Sequence, residues 1–268
     1  MVNITATVLG TVYGGNRTLY SQELRAIAEK HPCWQHPLFA YLEGGNVRAV
    51  QLAYLLKNYD THAGLLRRLL LQAAAIMPEE AAGFVLENIR NEYGNGNSAH
   101  RHQLQLLDVA DKIGVTREHL SVIPVAEGVL KYIATIPAYY LPAESFNVLN
   151  SPAMIENGSL GFSTSNIDSA AFSAGAITAT EIMAINEFKS LQKAFAQFGL
   201  DNHIWFNHVT VEVEHSDESI DLAYYFVANH NRASLVLEGF SKVLDANVHL
   251  YDGLLSSMQK HERLQHST

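Results

Sequence analysis

The chain has 268 residues, 48% of them apolar and 17% charged, the composition of a folded globular protein with enough apolar side chain for a sizeable core. Its formal net charge of -9 repels phosphate backbones and anionic lipid headgroups, so neither nucleic acid nor a membrane surface is an expected partner. A single cysteine, Cys33, excludes an intramolecular disulfide and a Cys-rich zinc site; with no basic, apolar leader and no apolar run of about 20 residues, the expected location is cytoplasmic.

Residues 1–20 are polar and glycine-containing and are expected as an extended arm; one helical domain is expected over 21–262. Ser21 caps a short helix to about His31, and the turn-rich HPCWQHPLFAYLEGG follows. Asn46 is placed to cap a long helix from Val47 to about Ile76, which Pro78 stops. Glu79 and Glu80 favour the start of the next helix, to about Tyr93. After the YGNGN turn, Asn97 or Ser98 caps a helix to Ile113, and GVTREHL reads as a connection. Further helices are expected near 124–138, 178–198, 203–229 and 233–260. Residues 145–175 lack any basic residue and are rich in Ser, Asn, Gly and Ala, which reads as a long loop or lid. The predicted fold is all-α, a single up-and-down bundle of about seven helices.

Two segments carry chemistry. In the first, His208, Glu212 and His215 stand at i, i+4 and i+7. On a helix they fall within one narrow stripe, with Glu212 about 40° to one side of His208 and His215 about 20° to the other. Ile204, Leu222 and Phe226 share that stripe, so two imidazoles and a carboxylate project from a face that otherwise reads as core. A buried carboxylate is costly unless neutralised. A first-row metal such as iron, manganese or zinc suits this donor set, and a patch of His–Glu hydrogen bonds is the plainer alternative. The second segment is Glu92 to His102. Glu92 ends a helix whose apolar face includes Ala81, Val85 and Ile89. The glycines turn the chain, and His102 opens the apolar series Leu106 and Val109. His100 points almost oppositely, toward solvent.

These residues carry a resemblance. HPCWQHPLFAYLEGG with VRAVQLAYLLKNY, ENIRNEYGNGNSAHRHQLQLL and the closing His-x-x-x-Glu-x-x-His together resemble the haem-oxygenase-like superfamily that includes the TenA and PqqC proteins. The likeness is greatest to its diiron oxidase and oxygenase branch and spans roughly residues 21–260. It implies a haem-oxygenase-like bundle that binds one or two irons and activates dioxygen to oxidise a small organic metabolite, with a homodimer as a candidate assembly. Carried over, Glu92, His102, His208, Glu212 and His215 become metal ligands. The glutamate that the branch expects on the first long helix falls on Asn58, which puts a second iron in doubt. Asp60 lies about 200° around that helix and is expected beside Lys57 in solvent; His62 lies about 40° from Asn58 and is the sixth candidate ligand. Tyr59 and Trp205 are candidates for pocket lining or for core packing. The alternatives are a metal-free PqqC- or TenA-like enzyme and an inactive metal- or ligand-binding relative. Cys33 lies far from where a TenA nucleophile would fall.

Overall fold

The computed structural model describes residues 16–142, 155–156, 159–160 and 164–265. For 155–156, 159–160, 164–165, 207–214 and 261–265 it describes the backbone alone. The described residues form eleven α-helices: α1 (Arg17–Lys30), α2 (Pro37–Glu43), α3 (Ala49–Ala75), α4 (Glu79–Glu92), α5 (His102–Lys112), α6 (Arg117–Val122), α7 (Glu127–Thr135), α8 (Pro137–Tyr140), α9 (Thr164–Ala196), α10 (His208–His230) and α11 (Ala233–Gln265). A two-residue antiparallel pairing joins Ile155–Glu156 to Ser159–Leu160. None of the described helices is long and apolar enough to cross a membrane.

The fold is the expected all-α bundle, with more and shorter helices than seven. Pro37 at the first turn starts α2 inside the segment read as a turn, with the His36 side chain accepting from the Leu38 amide. Thr116 accepts from the His119 amide and starts α6 inside the expected GVTREHL connection. The helix expected over 124–138 divides at Pro137 into α7 and α8, because proline cannot donate an amide inside a helix. Arg48, rather than Asn46, is the residue before α3; its amide donates to the Gln51 side chain at 2.9 Å. Residues 1–15 of the expected arm lie outside the described residues, and from Arg17 the chain is helical.

The long helices α3, α9, α10 and α11 make the frame. α9 packs against α10 and α11, α11 against α3 and α7, and α3 against α4. α9 starts at Thr164, so the end of the expected loop is its first three turns. Small residues there let α9 and α11 approach closely. A Cβ on Gly175 would fall 1.9 Å from the Val236 carbonyl oxygen, and one on Gly239 would fall 2.0 Å from that of Phe172. This crossing brings the interior faces of α3, α9 and α11 around one cavity.

Candidate metal centre

Glu92 is the last residue of α4, and Ala81, Val85 and Ile89 bury the face that leads to it. The chain then turns through Gly94 at φ +89°. A Cβ there would fall 2.2 Å from the Asn97 carbonyl oxygen, so only glycine fits so tight a return. Asn97 accepts from the Ala99 amide in a 3-10 turn, and α5 opens on His102. The result is direct contact: His102 Nδ1 lies 2.8 Å from Glu92 Oε1. His102 is buried above Leu106 and Val109, and His100 is exposed. Arg67 on α3 stands between two carboxylates, 3.9 Å from Glu92 Oε2 and 3.9 Å from Asp60 Oδ1. Asp60 is thus half-buried against Arg67 rather than in solvent beside Lys57. The guanidinium draws it inward.

Glu92 and His102 line a partly open cavity. His62 lines it from α3. This imidazole is 3% exposed, and among the described residues neither ring nitrogen has a hydrogen-bond partner. Burial, with Arg67 nearby, pushes its pKa down to about 3, so the ring is neutral. Its ring meets two aromatic rings nearly edge-on: Tyr59 at 4.7 Å and Tyr132 at 5.8 Å between ring centroids. Tyr59 and Trp205, 5.8 Å apart and nearly perpendicular, both line the cavity, so each serves as wall and as core. A second cleft, carrying Arg68 and Arg101, adjoins the cavity across Arg67, Glu92 and Gln103.

Asn58 is spent elsewhere. It is fully buried; its Nδ2 donates to the Tyr54 carbonyl at 2.8 Å, and its Oδ1 accepts from the Ala126 amide at 2.7 Å. It ties the start of α7 to α3 and does not line the cavity. Two carboxylates that the sequence reading did not weigh do line it: Glu181 and Glu187 on α9. A signal for both was present. Glu181 shares a helical face with Ile177, Ala184 and Phe188, and Glu187 shares one with Met183, Leu191 and Ala194. Acids on apolar faces mark buried chemistry as His215 does.

His215 on α10 is 5% exposed, and Leu222 and Phe226 on its stripe are buried. The side chains of His208 and Glu212 lie outside the described residues. Ile204 departs from the expected stripe: it sits in a 3-10 turn before α10 and is 42% exposed. Among the described residues, no three of His, Cys, Asp and Glu stand close enough together to hold a metal ion. Cys33 is buried beside Met183, and burial pushes its thiol up to about 12. A thiol so hard to ionise is a poor nucleophile, which counts against TenA-type chemistry.

The all-α bundle thus carries an imidazole–carboxylate pair at the wall of an aromatic-lined cavity. Two crystal structures of a CADD-like protein of unknown function from Nostoc punctiforme PCC 73102 share the fold. One has a TM-score of 0.65 at 16% identity, over 90% of this chain and 98% of that one. The other has a TM-score of 0.64 at 14% identity, over 92% and 97%. No curated protein matches the sequence. The profile of the iron-containing redox enzymes matches residues 53–248, and the chain belongs to that family.

Proposed function

We propose that the protein is a non-haem iron-dependent oxidase or oxygenase that uses dioxygen to oxidise a small organic molecule held in the bundle cavity. The observation that carries this reading is the Glu92–His102 contact at the cavity wall, beside a buried imidazole, His62, that has no hydrogen-bond partner among the described residues. A buried polar group left unpaired costs about 1–3 kcal/mol, and a bound cation would remove that cost. The proposed ligands are Glu92, His102, His208, Glu212 and His215, for one or two irons. His62 is the sixth, and Glu181 offers the additional carboxylate in place of Asn58. Imidazoles and carboxylates drawn from facing helices are the donor set that bundle iron sites use. When bound, iron supplies the one-electron and dioxygen chemistry that side chains lack.

The chain's own residues do the rest. Glu92 fixes the His102 ring through Nδ1, which selects its tautomer and orientation. Arg67 balances the carboxylates of Glu92 and Asp60 at one side of the cavity. Tyr59, Tyr132, Phe188 and Trp205 keep water out and shape the space for the substrate.

Anaerobic reconstitution with iron(II) tests the reading. Wild type is expected to hold at least one iron per chain, with a marked loss in His102→Ala and His208→Ala, and the loaded wild type is expected to consume oxygen. Equal iron in wild type and both variants would put the metal elsewhere. Iron retention with no oxygen uptake across amine, alcohol and carboxylate substrates would leave a binder rather than a catalyst.

A further inference from the structure

Glu187 is the one carboxylate of the cavity to which the iron reading gives no task. It projects from α9, and two tyrosines from different helices hold it. Tyr59 on α3 donates to Oε2 at 3.2 Å, and Tyr251 on α11 donates to Oε1 at 2.5 Å. Both oxygens are thereby fixed in orientation, and each keeps a lone pair for a further donor. Among the described residues Glu187 forms no ion pair, although Arg67 reaches the same cavity beside Glu92. Burial pushes the Glu187 carboxyl up, against the two tyrosine hydrogen bonds. Its surroundings are aromatic: Tyr59, Tyr132, Phe188 and Trp205 line the same cavity, and Asn247 adds an amide.

The geometry points to a subsite for the ammonium group of an amine substrate, with Glu187 as counter-ion and the aromatic rings as the walls around it. This rests on the iron-dependent reading for what then happens to the bound molecule, and it names the substrate's class. An alkylammonium brings three N–H donors and a positive charge to a carboxylate whose spare lone pairs are buried, and π faces attract the cation from the sides. A divalent metal fits this end poorly. The tyrosine hydroxyls are protonated donors, burial driving Tyr251 well above its usual range, and no third metal-ligating side chain joins Glu187 among the described residues. An anion would meet the carboxylate's charge. Tyr59 stands eight residues before Arg67, about 12 Å along α3. An amine held at Glu187 therefore extends its carbon chain toward the Glu92–His102 side, where the oxidation would occur.

Calorimetric titration of the full chain, metal-stripped and anaerobically iron-loaded, with n-hexylamine, 1-hexanol and hexanoate near neutral pH tests this. Hexylamine is expected to bind at least about tenfold more tightly than hexanol in both forms, with no measurable binding of hexanoate. Glu187→Gln is expected to lose about tenfold in hexylamine affinity, about 1.4 kcal/mol, while its hexanol affinity and iron content stay at wild-type values. Equal affinity of wild type for hexylamine and hexanol would overturn the proposal whether or not the variant folds. So would loss of iron from a folded Glu187→Gln protein, which would make Glu187 a metal ligand. Failure of wild type to take up iron, with its discrimination between amine and alcohol intact, would sink the iron reading and leave the ammonium subsite standing.

Discussion

Asn58 and His62 sit one helical turn apart on α3 and do opposite things with their polar atoms. Asn58 satisfies two backbone groups, the Tyr54 carbonyl and the Ala126 amide, in a fully buried position. Asn58→Ala leaves the Ala126 amide unpaired, while the Tyr54 carbonyl keeps its helical bond, and is expected to cost about 1–3 kcal/mol in urea unfolding, with iron content unchanged. Asn58→Glu is expected to raise no iron stoichiometry, because the position does not face the cavity. His62 has no hydrogen-bond partner among the described residues. Its ring titrates at about 3 in the fold and near 6.5 when unfolded. Between those values the unfolded chain binds more protons, so the contribution is complete above about pH 6.5 and is lost as pH falls toward 3. Metal-free wild type should therefore lose up to about 1.4 kcal/mol per pH unit relative to His62→Phe below about pH 6.5. Unfolding midpoints near pH 7.5 and 5 give that difference; a constant gap between the two proteins would contradict a neutral buried ring. The inward direction of His62 and His102 was legible from helical spacing. The engagement of Asn58 was not, because its partner amide lies 68 residues away in sequence.

At the scale of elements, α9 carries the largest departure from what the sequence announces. Its first three turns are Ser-, Asn-, Gly- and Ala-rich, a composition that reads as loop by local propensity. Tertiary packing overrides propensity there. The small residues are what lets α9 cross α11 with Gly175 against Val236 and Gly239 against Phe172. Gly175→Ala forces a Cβ into the Val236 carbonyl and must spread the two helices. A loss of at least about 1–3 kcal/mol is expected, with iron affinity falling in parallel because α9 and α11 both wall the cavity. A Gly175→Ala protein with wild-type melting temperature would mean that the close crossing is not needed. The other departures, at Pro37, Thr116 and Pro137, are short helices set by caps and prolines. Periodicity needs more residues than they contain to register. The long helices were legible because each repeats its apolar face for several turns.

Across the whole molecule, three contact-distant pieces of sequence share one interior. The Glu92–His102 turn, the His62 face of α3 and the Glu181–Glu187 face of α9 all open on the same cavity, and His215 is buried on α10, which packs against α9 and α4. Donor types and inward faces could be read from spacing. That they meet around one space depends on helix crossings, which no spacing encodes. A cavity with Arg67 beside Glu92 at one side and, elsewhere, Glu187 without an ion pair among the described residues is also charge-patterned, which favours one orientation of an asymmetric substrate.

Anomalous diffraction at the iron edge from crystals of the anaerobically loaded protein tests the convergence most directly. A single iron centre built from both segments predicts an anomalous peak within coordination distance of the Glu92–His102 pair and of the His215 imidazole together. A peak touching only one of these groups, or lying outside the cavity, would contradict it.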